Sequence, residues 1–187
     1  MISTSEFKKG VKMELSTTPF VIIDFQHVKP GKGPAFVRTK LKNLITGKVI
    51  DRTFRSGEKV QEADVEQRSM QYLYKDGSDF ILMDNETFDQ IAIPEETVGD
   101  DAKWMLEEAI IDVLIYKGNP VTIELPAFLE LVITETDPGV KGDTAQGGSK
   151  PATLETGAVV NVPLFVGEGE TIRVDTRTGD YMERVKK

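Results

Sequence analysis

Apolar residues recur along this chain mostly in short runs, many of them alternating with polar ones and nearly all broken by turn residues. From Ala35 to Leu41 the pattern is cleanest. Ala35, Val37, Thr39 and Leu41 fall on one side of an extended backbone, and Phe36, Arg38, Lys40 and Lys42 fall on the other. That is the period of a half-buried strand whose outer face is basic. Further strands are expected at Phe20–Phe25, Lys48–Phe54, Gln71–Lys75, Phe80–Asp84, Ile110–Lys117, Val121–Leu125, Leu129–Thr134, Val159–Val166 and Thr171–Asp175, with a last short one after the turn at Thr178–Asp180. The Asp76-Gly77 and Gly118-Asn119 pairs between such runs predict tight hairpins. One helix is expected within Pro94–Ala109, capped by Asp100 or Asp101, with Ala102, Met105, Leu106 and Ala109 turned inward and Trp104 at its edge.

Polarity rises and charge changes sign near Glu62–Asp64, and Pro126 interrupts the pattern again. These two breaks predict segments 1–64, 65–126 and 127–187, each of about 60 residues and nearly all β. The fold class implied is all-β, as three consecutive small β-barrels. Residues 137–151 (DPGVKGDTAQGGSKP) are expected to form a long Gly-rich loop, longer than a hairpin requires, exposing Asp143, Thr144 and Lys150.

The stretch His27–Phe36, HVKPGKGPAF, sits between two of the expected strands. Pro30 and Pro34 stiffen the backbone, while Gly31 and Gly33 admit angles that other residues avoid. A hairpin tip with Lys32 at its apex follows. Gly31-Lys32-Gly33 does not fit a phosphate-binding loop, because the glycine spacing is wrong and a strand, not a helix, comes next. With Lys29 before it, and Arg38, Lys40 and Lys42 along the following strand, the tip ends a basic ridge suited to a nucleic-acid backbone. The competing reading is a solvated hairpin end.

Charge sharpens the division of the chain. The net charge is −8, yet residues 1–64 hold 12 Lys+Arg against 7 Asp+Glu, whereas residues 65–126 hold 4 against 14 and residues 127–187 hold 7 against 10. One basic segment beside two acidic ones fits a chain in which one part meets polyanion and the others meet something else. The acidic run is otherwise a solvated face. The absence of Cys and the single His argue against transition-metal catalysis. His27, at a strand end, reads as structural, and no Ser or Thr has a recognisable base partner. Phe36, Phe54, Tyr72 and Tyr74 are base-stacking candidates but fit a core better. No apolar run nears the roughly 18 residues of a membrane span, and MISTSEFKKG lacks the features of a secretory signal, so a soluble cytoplasmic protein is expected. No cofactor is called for. A general RNA-binding module and an enzyme built on acidic clusters, which would need a bound metal, remain as alternatives.

Specific motifs go further. VKPGKGPAF, QYLYKDG, NETFDQ at 85–90 and the long run GDTAQGGSKPATLETGAVVNVPLFVGEGETIRVDTRTGDY resemble the bacterial translation elongation factor P family over essentially the whole chain. The resemblance implies an N-terminal SH3/KOW-like barrel followed by two OB-type barrels, in an L shape that mimics tRNA. It implies a non-enzymatic translation factor that binds the 70S ribosome between the P and E sites. There it would promote peptide bond formation at consecutive prolines by positioning the CCA end of the P-site peptidyl-tRNA. By position the resemblance makes Lys32 the tip lysine that a modifying enzyme extends in relatives, with a β-lysyl arm, an aminopentanol-type arm and no modification all open here. Lys29, Pro30, Gly31, Gly33 and Pro34 form its loop. Gly142, Asp143 and Thr144 correspond to the loop that faces the E-site mRNA codon. Pro34 departs from the Gln, Ser or Asn common among relatives, which implies a stiffer loop here.

Overall fold

The computed structural model describes residues 1–139 and 148–186, nearly all of them in strands and turns. Six strands form the first sheet: β1 (Ile2–Ser3), β2 (Lys12–Leu15), β3 (Thr18–Val28), β4 (Phe36–Asn43), β5 (Val49–Arg55) and β6 (Lys59–Glu62), in the order β1-β6-β2-β3-β4-β5. The next five elements of sheet are β7 (Val65–Asp76), β8 (Asp79–Asp84), β9 (Gln90–Pro94), β10 (Ile110–Tyr116) and β11 (Asn119–Glu124), in the order β11-β10-β7-β8-β9. The last five are β12 (Phe128–Thr136), β13 (Ser149–Leu154), β14 (Val159–Pro163), β15 (Thr171–Asp175) and β16 (Asp180–Arg184), ordered β14-β13-β12-β15-β16. Packing divides the chain into two compact units, residues 1–68 with 113–123, and residues 69–112 with 124–187.

In the first unit the alternation read from sequence becomes a core. Val37, Thr39 and Leu41 of β4 are buried, together with Phe7, Met13, Phe20, Ile22 and Phe54. Phe7 meets Phe54 edge-on at 5.3 Å between ring centres. The Thr39 hydroxyl, taken out of water, donates to the Arg52 carbonyl at 2.8 Å, so its burial leaves no polar atom unpaired. A bulge in β3 between Ile22 and Asp24 shifts its register, so Ile22 faces the core and the strand beyond Ile23 lies mostly exposed. Glu14 of β2 accepts a hydrogen bond from the Tyr116 hydroxyl and pairs with Lys117 at 3.2 Å. Those two contacts, the phenol first, hold its carboxyl below the ordinary range.

In the second unit the expected 94–109 helix is corrected. The α-helix α1 covers only Glu95–Val98, begins after Pro94, and gives way to a 3₁₀ turn over Gly99–Trp104. Gly99 at φ +64 ends the α turn, and Asp100 and Asp101 lie inside the 3₁₀ segment, not at a cap. This shorter element plunges Trp104 into the core, 2% exposed, where it packs with Leu131, Ile133, Leu154, Val160 and Ile172. Two further expectations are corrected by β13. The loop expected to run to Pro151 ends earlier, since the strand starts at Ser149. Lys150, expected on an exposed loop, is buried with its ammonium donating to the Asp137 carbonyl at 2.6 Å. Alternation explains both: Lys150, Ala152 and Leu154 share the inward face of β13. No helix among the described residues is long and apolar enough to cross a membrane.

Candidate functional site

The hairpin of β3 and β4 closes at the pair Val28–Phe36, leaving residues 29–35 as its loop. Directly below that closing pair, Val37 and Phe54 face each other across β4 and β5 and are buried to about 1% and 0% exposure. The loop therefore stands on packed apolar side chains. Gly33 lies at φ +110, a conformation that L side chains avoid, and a Cβ there would come 3.9 Å from the Pro30 ring. Gly31, Lys32, Gly33 and Pro34 are exposed, with Pro30 half-buried beneath them. Among the described residues Lys32 has no hydrogen bond or ion pair, so its ammonium is free to meet a partner outside the chain. Lys29 is exposed in the same loop.

The ridge below the tip is real but more mixed than its sequence suggested. Arg38, Lys40 and Lys42 share the exposed face of β4 and span about 13 Å along the strand at the usual rise per residue. Cross-strand register sets Lys40 between Asp24 of β3 and Asp51 of β5, and sets Arg38 between Gln26 and Thr53. Lys9 takes Asp24 at 3.2 Å, and that hydrogen-bonded pairing holds the Asp24 carboxyl below its ordinary value. The Arg38 guanidinium lies 5.4 Å from the centre of the Phe36 ring, and Arg52 lies 5.1 Å from that of Phe54. Asp24, Gln26, Arg38, Lys40, Asp51 and Thr53 line a surface recess of about 390 Å³. Its interleaved acids were the part that sequence reasoning missed, and the signal for them was the pairing register of the two hairpins.

The remaining candidates distribute themselves plainly. His27 is exposed near the end of β3, edge-on to Phe25 at 5.7 Å. Phe54 and Tyr72 belong to cores, Phe36 is half-buried, and Tyr74 is exposed. Among the described residues no three His, Asp or Glu converge to hold a metal ion. Gly142, Asp143 and Thr144 lie outside the described residues.

Three family models match in succession. The elongation factor P KOW-like domain matches residues 3–60, the elongation factor P OB domain matches residues 65–123, and the elongation factor P C-terminal domain matches residues 129–184. Elongation factor P of Rhodococcus jostii (strain RHA1) is 55% identical over 185 residues, covering 99% of each chain. That of Syntrophomonas wolfei is 54% identical over 185 residues, covering 99% of this chain and all of the relative. Among solved structures, eukaryotic translation initiation factor 5A from Methanococcus jannaschii superposes with a TM-score of 0.55 at 19% identity, over 66% of this chain and 90% of that one, a likeness of fold alone.

Proposed function

The chain belongs to the elongation factor P family, and from that premise we propose that it binds the ribosome and uses the Lys32 finger to position a peptidyl-tRNA whose chain ends in proline. Translation elongation is the function its family carries. The reading turns on one observation: the Lys32 ammonium, unpaired among the described residues, at the apex of a loop held by Pro30, Gly33 and the packed Val37–Phe54 pair.

Proline resists peptide transfer because its ring fixes φ and consecutive prolines hold the nascent chain away from attack geometry. The ribosome already provides the reaction centre, so what is lacking is orientation. Fixing reacting groups in near-attack geometry can be worth several kcal/mol without any new acid or base. A rigid loop loses little entropy on docking, and Lys32 offers three N–H donors to phosphate or ribose oxygens near the CCA end. A modifying enzyme that lengthens the side chain would extend that reach. Arg38, Lys40 and Lys42 would follow the tRNA backbone below the tip, and Gly142, Asp143 and Thr144 would face the E-site codon. The factor thus assists catalysis without being an enzyme.

Lys32→Ala removes the ammonium from an exposed loop and leaves every buried contact in place. In reconstituted translation of a triple-proline message the native protein is expected to relieve the stall, and the folded Lys32→Ala protein to relieve none of it. Full relief by that variant would refute the role of the tip. Activity on free RNA with no dependence on proline codons would favour a general RNA-binding module instead. Intact-mass measurement of the native protein reads directly whether Lys32 carries an extension.

A further inference from the structure

The turn between β8 and β9, residues 85–89, holds an exposed aromatic in a conformation that disfavours it. Phe88 is 69% exposed at φ +62, where a bulky side chain is strained against its own backbone. The turn around it is fully braced. The buried Asp84 carboxylate accepts from the Glu86 and Thr87 amides at 2.7 and 3.1 Å. The Phe88 amide donates to the Asp84 carbonyl at 2.9 Å, and the Asp84 amide donates to the Asp89 carbonyl at 2.9 Å. Asn or Gly would fit this turn with less strain, so nothing inside the fold calls for a phenyl ring.

The ring does not stand alone. Phe80, Leu82 and Asp84 of β8 point inward, so Ile81 and Met83 point outward. Register places Ile81 between Tyr74 of β7 and Ala92 of β9, and Met83 between Gln71 and Gln90. Tyr74 is 48% exposed and Ala92 is exposed. An outward apolar row of Tyr74, Ile81 and Ala92 therefore crosses these strands, and half-buried Met83, flanked by Gln71 and Gln90, lies between that row and the turn that carries Phe88. β8 and β9 are the second and third of the five strands matched to an OB domain, the face on which such barrels bind oligonucleotides and oligosaccharides. The ends of the face are acidic, with Asp76 exposed and Asp79 half-buried at one turn and Glu86 and Asp89 exposed at the other. With 14 acids against 4 bases over residues 65–126, phosphate is repelled.

We propose that the outer face of β7–β9, with Phe88 as its anchor, docks a basic protein surface whose apolar cleft receives the phenyl ring. The apolar centre supplies burial, the acidic ends match the partner's charge, and the braced turn holds the anchor in place before contact. The partner belongs to the ribosome-bound state, so the proposal rests on the ribosome reading above.

The test uses purified 70S ribosomes and the full-length protein. Phe88→Asn suits the positive φ, so its melting temperature is expected to equal or exceed that of the native protein, while its ribosome affinity falls about tenfold. Tyr74→Ser is expected to weaken binding in the same direction. A photo-crosslinking benzoylphenylalanine at position 88 is expected to attach to a basic ribosomal protein. Unchanged affinity in both variants, crosslinking to ribosomal RNA, or crosslinking to a second copy of this chain would each overturn the proposal while leaving the tip's role standing. Failure of the native protein to bind ribosomes at all would sink the ribosome reading and this proposal together.

Discussion

The Asp175 carboxyl is pulled from 3.8 to about 2, first by the Arg177 side chain, which grips it with two N–H groups at 3.0 and 2.8 Å. The Arg177 amide adds a third donor at 2.9 Å, and Gly179 closes the same turn onto the Asp175 carbonyl. Because the folded pKa lies below the unfolded one, this group stabilises the fold fully above about pH 4 and loses its contribution as pH falls through 2. The native protein minus Asp175→Asn, compared by urea midpoint, is expected to give a stability difference that shrinks from pH 5 to pH 2. A constant difference would mean that the carboxylate's charge contributes nothing. Lys32 lies at the other extreme of the residue scale. It touches no partner within the described fold, so Lys32→Ala alters function and leaves stability where it was.

Elements show where sequence reading succeeds and where it stops. β4 was legible in its faces, because Val37, Thr39 and Leu41 alternate with charged positions and the alternation survived as burial, though the strand runs Phe36–Asn43 and leaves Ala35 half-buried outside it. β2, β6 and β9 gave no signal, being four or five residues long with one or no fully buried apolar side chain each. β13 was hidden because Lys150 and Pro151 at its start look like loop residues, and only pairing with β14 reveals them as a strand. The 94–109 segment misled through its helix-forming composition, since Gly99 at φ +64 and the demand to bury Trp104 overrode local propensity. Trp104 was placed at an edge by helical periodicity, yet it sits among Leu131, Ile133 and Ile172. Trp104→Ala is therefore expected to destabilise the unit of residues 69–112 and 124–187 by about 3–5 kcal/mol, read by denaturant unfolding. A loss below about 1 kcal/mol would place the indole outside the core. The candidate site was legible in kind, since GKG between prolines names its own tip. Its acids were not, because Asp24 and Asp51 reach Lys40 only through the registers of two strand pairs.

Across the whole molecule, the sequence separates a basic segment, 1–64, from an acidic one, 65–126. A chain that met RNA along its full length would not keep 14 acids in its middle. With phosphate meeting the β4 ridge, Arg38→Glu with Lys40→Glu is expected to weaken ribosome binding and to flatten its dependence on salt between about 50 and 200 mM. An unchanged salt slope would remove the ridge from the interface. The three family domains follow one another along the chain, and only the first carries the finger. The most direct measurement is a structure of the native protein on a ribosome halted between two prolines. Residues 29–35 are expected among the contacts around the P-site tRNA, with the Lys32 amine or its extension touching the terminal adenosine. A bound factor whose loop points into solvent, away from that adenosine, would contradict it.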